Sequence, residues 1–465
     1  MTTYDDFLAA KAPIPADHGR PVESGDVNPV LKDHQRAIVE WAVRGGRRAV
    51  FAAFGLGKSV IQLETLRLVT PAGDRALMVC PLGVRQEAMA DADLLAAVAA
   101  DPDAPLAEIA CDREFRAAYV ARFVAEHGTG HRPVFVRRTD EVDGPGLYLT
   151  NYESIRDGRL DVDLFTSVSL DEASVLRSYG SKTFTTFLAL FDNIRYRFVA
   201  TATPSPNRYK ELIHYAGFLG VMDTGQALTR FFQRDSTKAN NLTLYPHKEQ
   251  EFWLWLASWA VFLQTPADLG YDATGYDLPP HHIEYCEVDT DPLESLTYET
   301  NGQGQLVHGA SLGVSQAAAE KRNTMAARID RLMAIIAANE ISDDGDQIVI
   351  WCDLNDEQRA IEKALNAAGI TYSSVYGSLS IDETERRIQT WKDRGTCALI
   401  GKPDPKWEEV GLMVRDANPD ERGYVRCLGG SWQVIHEAGY YVLTFALAAE
   451  LSLSLDHIWV LIWAF

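Results

Sequence analysis

The chain has 465 residues, of which 46% are hydrophobic and 23% are charged, a composition that predicts a soluble globular protein of two or three domains. Its net charge of −21 argues against a uniformly basic nucleic-acid coat, although an acidic surface can still carry one basic groove. The six cysteines include no CxxC pair, which argues against a zinc ribbon or a disulfide framework. The opening residues have no long apolar core, so we expect no signal peptide and a cytoplasmic location.

The first two hundred residues alternate short apolar runs with longer helical patterns. Strands are predicted at 47–54, 75–81, 146–152, 167–172 and 195–203. Helical patterns lie between them, for example at 59–69, which stops before Pro71, and at 85–100. This alternation predicts an α/β fold with a parallel sheet, which we assign to a first domain at 1–220.

A glycine-rich loop, A-A-F-G-L-G-K-S at 52–59, follows the first predicted strand. Gly55 and Gly57 would let backbone amides turn toward phosphates at the start of a helix. Lys58 would supply a charge for the β and γ phosphates, and the Ser59 hydroxyl would ligate Mg²⁺. Ala52 stands where the general motif has its first glycine. The alternative is an ordinary strand–helix turn, but the flanking pattern favours a site for ATP and Mg²⁺.

Polar residues follow two later strands of the same domain. Asp171 would hold Mg²⁺ through its water shell, and Glu172 would orient and deprotonate the attacking water. An acidic pair also occurs in many surface turns, so this assignment depends on its place after an apolar strand downstream of the loop. Thr201 and Thr203 follow the next strand and are predicted to couple nucleotide state to a second domain.

Gln35 lies before the first strand, in an amphipathic pattern at 31–42. Its amide offers both a donor and an acceptor, which are the groups needed to pair with an adenine edge. A generic amphipathic helix is the alternative at this position.

Residues 221–340 are predicted to form a helical insertion and linker. Phe252, Trp255, Trp259 and Phe262 are spaced as one face of a helix, which predicts a core element. A second α/β pattern at 341–403 has strands at 347–352, 372–377 and 396–400. Its first helix is predicted to begin with Asn355 as the N-cap and to end at Gly369.

Taken in order, these segments resemble superfamily 2 helicases, and more closely the Swi/Snf-type DNA translocases of bacteriophages and prophages. The similar segments are LKDHQ, AAFGLGKS, VCPLGVRQEA, LTNYESI, LDEAS and TATPSPN in the first domain, and IVIWCDLNDEQRAIEKAL with VYGSLSIDETERRIQTWKDRGTCALIGKP in the second. The resemblance covers about residues 25–403.

The resemblance implies two RecA-like lobes that clamp ATP and pass duplex DNA across their tops. It matches Arg85, Thr150, Asn151 and Tyr152 to positions that contact the DNA backbone, and such contacts read no sequence. Polar groups that cap loops are the alternative for these four residues. Proteins of phage replication, recombination or modification are the partners that the resemblance suggests.

The resemblance ends at residue 403. The family continues with G-x-G-x-N-x-Q and then Q-x-x-x-R-x-x-R, whose arginines reach the γ-phosphate, and neither motif occurs in the tail at 404–465. Arg415, Arg422 and Arg426 do not have that spacing. Two explanations of this tail stay open: a truncated or frame-disrupted member of the family with an unrelated tail, and a genuine divergent ending. The apolar stretch at 440–465 is interrupted by charged residues, so we do not expect it to span a membrane.

The leading hypothesis is therefore a DNA-dependent ATPase of the helicase or translocase class. A non-hydrolysing module that binds nucleotide and DNA is the second, and the helicase subunit of a restriction or modification system is the third. DNA-stimulated ATP hydrolysis separates the first hypothesis from the second.

Overall fold

A computed structural model gives the fold. It describes residues 14–81, 84–173, 176, 187–205, 209–234, 242–276, 324–338, 347–352 and 354–402, together with the backbone of three short strands at 425–427, 432–434 and 458–462. The chain divides into two compact units, Met1–Asp277 and Leu278–Phe465. Each unit is described by itself.

A parallel sheet forms the centre of unit 1. The strands of this unit are β1 (Arg47–Ala52), β2 (Arg75–Val79), β3 (Val134–Phe135), β4 (Gly146–Thr150), β5 (Ser167–Leu170), β6 (Tyr196–Ala200), β7 (Phe232–Arg234), β8 (Leu242–Leu244) and β9 (Ala260–Leu263). Seven of them form one sheet in the order β3-β4-β2-β5-β6-β1-β9, while β7 and β8 make a separate antiparallel pair. The predicted α/β class with a parallel sheet is confirmed.

Helices cover both faces of this sheet. They are α1 (Asp33–Gly45), α2 (Lys58–Val69), α3 (Arg85–Ala100), α4 (Leu106–Cys111), α5 (Arg113–His127), α6 (Tyr152–Arg156), α7 (Leu212–Leu219), α8 (Thr224–Phe231) and α9 (Glu249–Ala257). Apolar residues of α1, α2 and α3 pack on one face, and those of α7, α8 and α9 pack on the other. Burial on both faces explains why the central strands read as continuous apolar runs.

The aromatic segment near residue 255 differs from its prediction. Helix α9 ends at Ala257, and β9 then pairs in parallel with β1. Phe252, Trp255 and Trp259 are fully buried, whereas Phe262 is 41% exposed. The single helical face through Phe262 was therefore wrong, because the chain changes from a helical to a strand period after α9. The sheet of unit 1 thus extends beyond residue 220, into the range predicted as an insertion.

Unit 2 contains a smaller parallel sheet. Its described elements up to residue 402 are α10 (Met325–Ala338), β10 (Gln347–Trp351), α11 (Asn355–Ala368), β11 (Tyr372–Ser374), α12 (Ile381–Lys392) and β12 (Ala398–Gly401). Helix α11 begins at Asn355 but has Leu354 as its N-cap residue, so the predicted cap was one position too late. It ends at Gly369, as predicted, with a left-handed φ of 73°. The buried ion pair between Arg328 and Glu357 joins α10 to α11.

The described backbone of the tail comprises three strands. β13 (Val425–Cys427) and β14 (Trp432–Val434) pair with each other, and β15 (Ile458–Ile462) pairs in parallel with β10. The sheet of unit 2 therefore has the order β11-β12-β10-β15. Arg415 and Arg422 lie outside the described residues, and only the backbone of Arg426 is described. None of the helices in the described ranges has the length and apolar character needed to span a bilayer.

Candidate nucleotide site

The predicted glycine loop, acidic pair and threonines lie at the carboxyl ends of three adjacent strands. β5, β6 and β1 are neighbours in the parallel sheet of unit 1. The glycine loop follows β1, the acidic pair follows β5, and the threonine-containing segment follows β6. Because parallel strands end at the same edge, separate stretches of sequence meet there, and this edge is the usual ligand-binding edge of an open α/β sheet.

The glycine loop has the backbone shape that its sequence predicts. Gly55 and Gly57 have left-handed φ angles of 77° and 75°. A Cβ on Gly57 would lie only 2.3 Å from the Nε2 of Gln35, so a side chain here would displace the Gln35 amide in addition to straining the backbone. Helix α2 begins directly after Gly57 without a side-chain cap, and its first amide groups are therefore available to an anion.

Lys58 and Ser59 are the first residues of α2 and are half-buried. The Lys58 ammonium donates a hydrogen bond to the Ala53 carbonyl at 3.2 Å and lies 4.7 Å from the centre of the Phe54 ring. Lys58 is thus folded back over its own loop. A phosphate group would offer this ammonium a charged acceptor in place of a neutral carbonyl, and charge-assisted bonds are the stronger kind.

Asp171 is held by a residue that the sequence analysis did not select. The Gln62 amide donates to Asp171 Oδ1 at 2.8 Å, and Ser169 donates to Gln62 Oε1 at 2.6 Å. Gln62 is 3% exposed and lies one helical turn after Lys58, on the side of α2 that faces the sheet. One sequence signal could have identified Gln62: it is a polar residue on the side of the helix that is expected to be buried, directly after the phosphate loop. Gln62 therefore connects α2 directly to β5 and to the acidic pair that follows it.

Burial controls the protonation of Asp171. Its side chain is 5% exposed, and this burial raises its pKa to about 6. The hydrogen bond from Gln62 and the charge of Lys58 oppose the shift, while the neighbouring charge of Glu172 adds to it. A divalent cation would supply the missing positive charge and favour the ionised form.

Glu172 and the threonines are in direct contact. Glu172 Oε1 accepts hydrogen bonds from the hydroxyls of Thr201 at 2.9 Å and Thr203 at 3.3 Å. Thr201 also accepts a bond from the Thr203 amide at 3.1 Å, which fixes the two threonines relative to each other. Glu172 has a positive φ of 45°, which is unfavourable for a residue with a side chain and is common at functional sites. The Glu172 carboxylate thus joins the segment after β5 to the threonine segment after β6.

Gln35 contacts the loop through backbone partners. Its Oε1 accepts a bond from the Lys32 amide at 2.9 Å, and its Nε2 donates to the Leu56 carbonyl at 3.2 Å. The side chain is 8% exposed. Each amide atom keeps a second hydrogen-bonding position, so adenine recognition by Gln35 stays a prediction.

The residues matched to DNA contacts have roles inside unit 1. Thr150 is fully buried and donates to the Val136 carbonyl, while Asn151 caps α6 by accepting a bond from the Ser154 amide. The Tyr152 hydroxyl donates to the Asp171 carbonyl at 2.5 Å, beside the acidic pair. Burial, and then the charges of Asp171 and Glu172, raise the pKa of Tyr152 well above its usual range. These hydrogen bonds fit the loop-capping alternative, and contact of these three residues with DNA stays a prediction.

Arg85, the fourth residue of that set, begins α3 and lies half-buried with its guanidinium 5.1 Å from the centre of the Phe135 ring. A contact between Arg85 and DNA stays a prediction.

No known family profile matches this chain, and no curated protein matches it. Among solved structures it is similar to the Sulfolobus solfataricus SWI2/SNF2 ATPase core in complex with dsDNA, with 15% identity over 82% of this chain and 80% of that chain and a TM-score of 0.38. It is also similar to S. cerevisiae Dbp5 bound to Gle1 and IP6, with 10% identity over 83% and 76% of the two chains and a TM-score of 0.40. A third similar structure is the Pyrococcus furiosus Hef helicase domain, with 11% identity over 80% and 86% of the chains and a TM-score of 0.37.

Proposed function

We propose that this chain is an ATP- and Mg²⁺-dependent hydrolase of the helicase or translocase class, similar to the Swi/Snf type, that acts on duplex DNA. One observation carries the proposal: Glu172 is hydrogen-bonded to Thr201 and Thr203 at the strand edge where the Lys58 loop also lies. A phosphate loop, a metal carboxylate and a base at one sheet edge are the parts that phosphoryl transfer requires.

The residues present fit a nucleoside triphosphate with its metal. The uncapped start of α2 and the two left-handed glycines form a cradle for phosphates, with Lys58 beside it. The Ser59 hydroxyl and the Asp171 carboxylate would hold Mg²⁺, since this ion prefers oxygen ligands from one or two side chains together with phosphates. When bound, Mg²⁺ would neutralise the charge that develops on the phosphates.

Glu172 would act as the general base. Both threonine hydroxyls donate to the same oxygen, Oε1, so the proton of the attacking water would go to Oε2. Positioning by two donors fixes the carboxylate before the water arrives, which lowers the cost of reaching the reactive geometry. Because Thr201 and Thr203 hold the base, movement of their segment would change the rate, and this would couple the ATP site to other parts of the protein.

The link to DNA is supported by the sequence resemblance. Thr150, Asn151 and Tyr152 have their side chains bonded inside unit 1, so the DNA contacts of this region would come from backbone amides or from Arg85. Such contacts position nucleic acid without reading its sequence.

A second candidate is a module that binds nucleotide and DNA but hydrolyses slowly. The observation that favours it is the absence of a Q-x-x-x-R-x-x-R motif after residue 403. Where such an arginine has been dissected it contributes about 10³–10⁵ in rate, so its loss would leave weak turnover and weak stimulation.

The deciding experiment is an ATPase assay with the full chain, without nucleic acid and with duplex DNA, single-stranded DNA or RNA. Hydrolysis that rises with duplex DNA and is lost in Glu172→Gln supports the translocase class. Slow hydrolysis that duplex DNA does not change, with ATP still bound, supports the second candidate. Hydrolysis that Glu172→Gln leaves unchanged contradicts both, because it would come from another site or a contaminant.

A further inference from the structure

Two arginines converge at the opposite edge of the unit 1 sheet, where β1 and β6 begin. Arg47 and Arg197 are partners in the parallel register of these strands. A Cβ on Gly220 would lie 2.4 Å from Nη2 of Arg197 and 2.7 Å from Nη1 of Arg47. Both guanidinium groups therefore meet over the bare Cα of one glycine.

Arg197 is buried with little to balance its charge. Its side chain is 3% exposed, and its buried Nε has no hydrogen-bond partner among the described residues. The one described carboxylate within ion-pair range is Asp192, whose Oδ1 is 3.8 Å from Nη1 and whose own side chain is 82% exposed. A buried cation with a distant, hydrated counter-ion is costly, so this position calls for an explanation.

Arg47 adds a second positive charge without adding a counter-ion. It is half-buried, and its Nε donates to the Arg195 carbonyl at 3.2 Å. Burial, and then the charge of Arg47, lower the pKa of Arg197 to about 10. Burial and the neighbouring arginines also lower the pKa of His18, which lies beside the same group. A local excess of positive charge is thus concentrated in a chain whose net charge is −21.

The end of α7 supplies part of the compensation. Gly220 is the C-terminal cap of this helix and adopts a left-handed φ of 66°. A helix C-terminus carries a partial negative charge of roughly one half, which cannot balance two guanidinium groups. An anion that accepts from both arginines would complete the neutralisation.

We propose that Arg47 and Arg197 form a second anion site, which binds one phosphoryl group. Guanidinium groups present paired donors that match phosphate oxygens, and two of them suit a doubly charged oxyanion. The group could be free inorganic phosphate or a phosphate of a nucleic-acid backbone. The site lies at the other end of β1 from the Lys58 loop, about 20 Å away by strand length, so it cannot hold the phosphates of the proposed nucleotide.

The test uses the full chain with Lys58→Ala, so that phosphate binding at the glycine loop does not contribute. Inorganic phosphate is titrated at constant ionic strength, and binding is followed by calorimetry and by the shift in melting temperature. We expect phosphate to bind and to raise the melting temperature. Arg47→Gln should weaken binding about tenfold or more, because it removes a charge-assisted bond at a partly buried site. Arg197→Met, if the variant folds, should weaken phosphate binding by a similar factor.

Arg48→Gln is the matched control. Arg48 is adjacent in β1, but it is paired with Asp17 at 2.5 Å and its guanidinium packs against Gly45, away from Gly220. Its replacement should leave phosphate affinity unchanged. The proposal is overturned if phosphate does not bind to Lys58→Ala, if Arg47→Gln binds it as tightly, or if Arg48→Gln weakens it equally. None of these outcomes bears on ATP hydrolysis, so this site and the proposed function fail independently.

A competition arm distinguishes the two sources of the phosphoryl group. A short duplex DNA that displaces phosphate from Lys58→Ala, and binds more weakly when Arg47→Gln is added, identifies the nucleic-acid backbone. Phosphate that remains bound at saturating duplex identifies the free anion. Both results support the site.

Discussion

The two edges of the unit 1 sheet bury charge in different ways. At the carboxyl edge, Asp171 is bonded to Gln62, and Glu172 is bonded to two threonines. At the amino edge, Arg47 and Arg197 converge, while the described carboxylate within ion-pair range, Asp192, lies 3.8 Å from Arg197 and is 82% exposed. The first edge fixes its carboxylates by hydrogen bonds, and the second holds two guanidinium groups without a close described carboxylate. The difference teaches that a buried charge with close hydrogen-bond partners needs no further partner, whereas a buried charge without them calls for one.

The largest effect is expected at the carboxyl edge, from Glu172→Gln. The amide keeps the size of the side chain and can still accept bonds from the threonines, but it cannot take the proton of water. The hydrolysis rate should fall by about 10² to 10⁴, while ATP affinity stays close to that of the parent. Steady-state turnover and equilibrium binding measure the two quantities separately. Unchanged turnover would remove Glu172 from the mechanism.

A smaller effect, on ATP affinity, is expected when the hydrogen bond from Gln62 in α2 to Asp171 is removed. Gln62→Met keeps the volume but leaves Asp171 and Ser169 without their described partner. Mg²⁺-dependent ATP affinity should fall by roughly 10- to 100-fold, which is the usual effect of losing a group that orients a metal ligand. Gln358→Met is the matched control, since Gln358 is also fully buried and bonds a strand serine, Ser374, in unit 2. Equal losses in both variants would indicate a general stability effect.

The raised pKa of Asp171 predicts how the free energy of unfolding depends on pH. Because burial raises this pKa to about 6, the folded state binds a proton more tightly than the unfolded state. The stabilisation from the protonated form is present below about pH 4 and is lost as the pH rises through about 6. Without Mg²⁺, Asp171→Asn should therefore be more stable than the parent at pH 7.5 by on the order of 1–3 kcal/mol.

Urea unfolding with a chelator at pH 4 and pH 7.5 measures this difference. The gain from Asp171→Asn should be small at the lower pH and full at the higher one. The same variant should lose Mg²⁺-dependent ATP binding. A gain that does not change with pH would show that the charge of Asp171 is not its source.

The smallest effect is expected for Tyr152→Phe. This change removes one hydrogen bond to the Asp171 carbonyl, so stability should fall by about 1 kcal/mol. Affinity for duplex DNA should stay unchanged, because the hydroxyl points toward the acidic pair and away from solvent. Duplex binding measured by fluorescence anisotropy tests this, with Arg85→Gln as the comparison. A selective loss of DNA affinity in Tyr152→Phe would contradict this expectation and support the predicted contact between Tyr152 and DNA.

Local sequence was enough to predict the loop and eight of the strands, but it missed the short strands β3, β7 and β8 and the edge strand β9. The strands predicted before residue 403 begin within two residues of their observed positions, because apolar runs and glycine stops are local signals. The pairing of Glu172 with Thr201 also follows from topology, since both residues end neighbouring parallel strands.

The remaining contacts depend on tertiary packing. The bond from Gln62 to Asp171 joins residues 109 positions apart, and no local pattern specifies it. The inward direction of Tyr152 depends on packing against Phe187, whose ring centre is 5.7 Å away. The change from α9 to β9 was hidden because buried aromatic residues suit both a helix and a strand. Arg47 and Arg197 were not selected at all, since a single arginine at a strand start carries no sequence signal.

The central claim is that the loop at the carboxyl edge binds ATP with Mg²⁺, and titration calorimetry with Lys58→Ala tests it most directly. The hydrogen bond and the ring contact described for the half-buried Lys58 both lie within its own loop, so the variant should keep its fold. We predict that the parent binds ATP with Mg²⁺ and that folded Lys58→Ala shows no measurable binding. ATP binding of parental affinity by the folded variant would contradict the assignment of the nucleotide site.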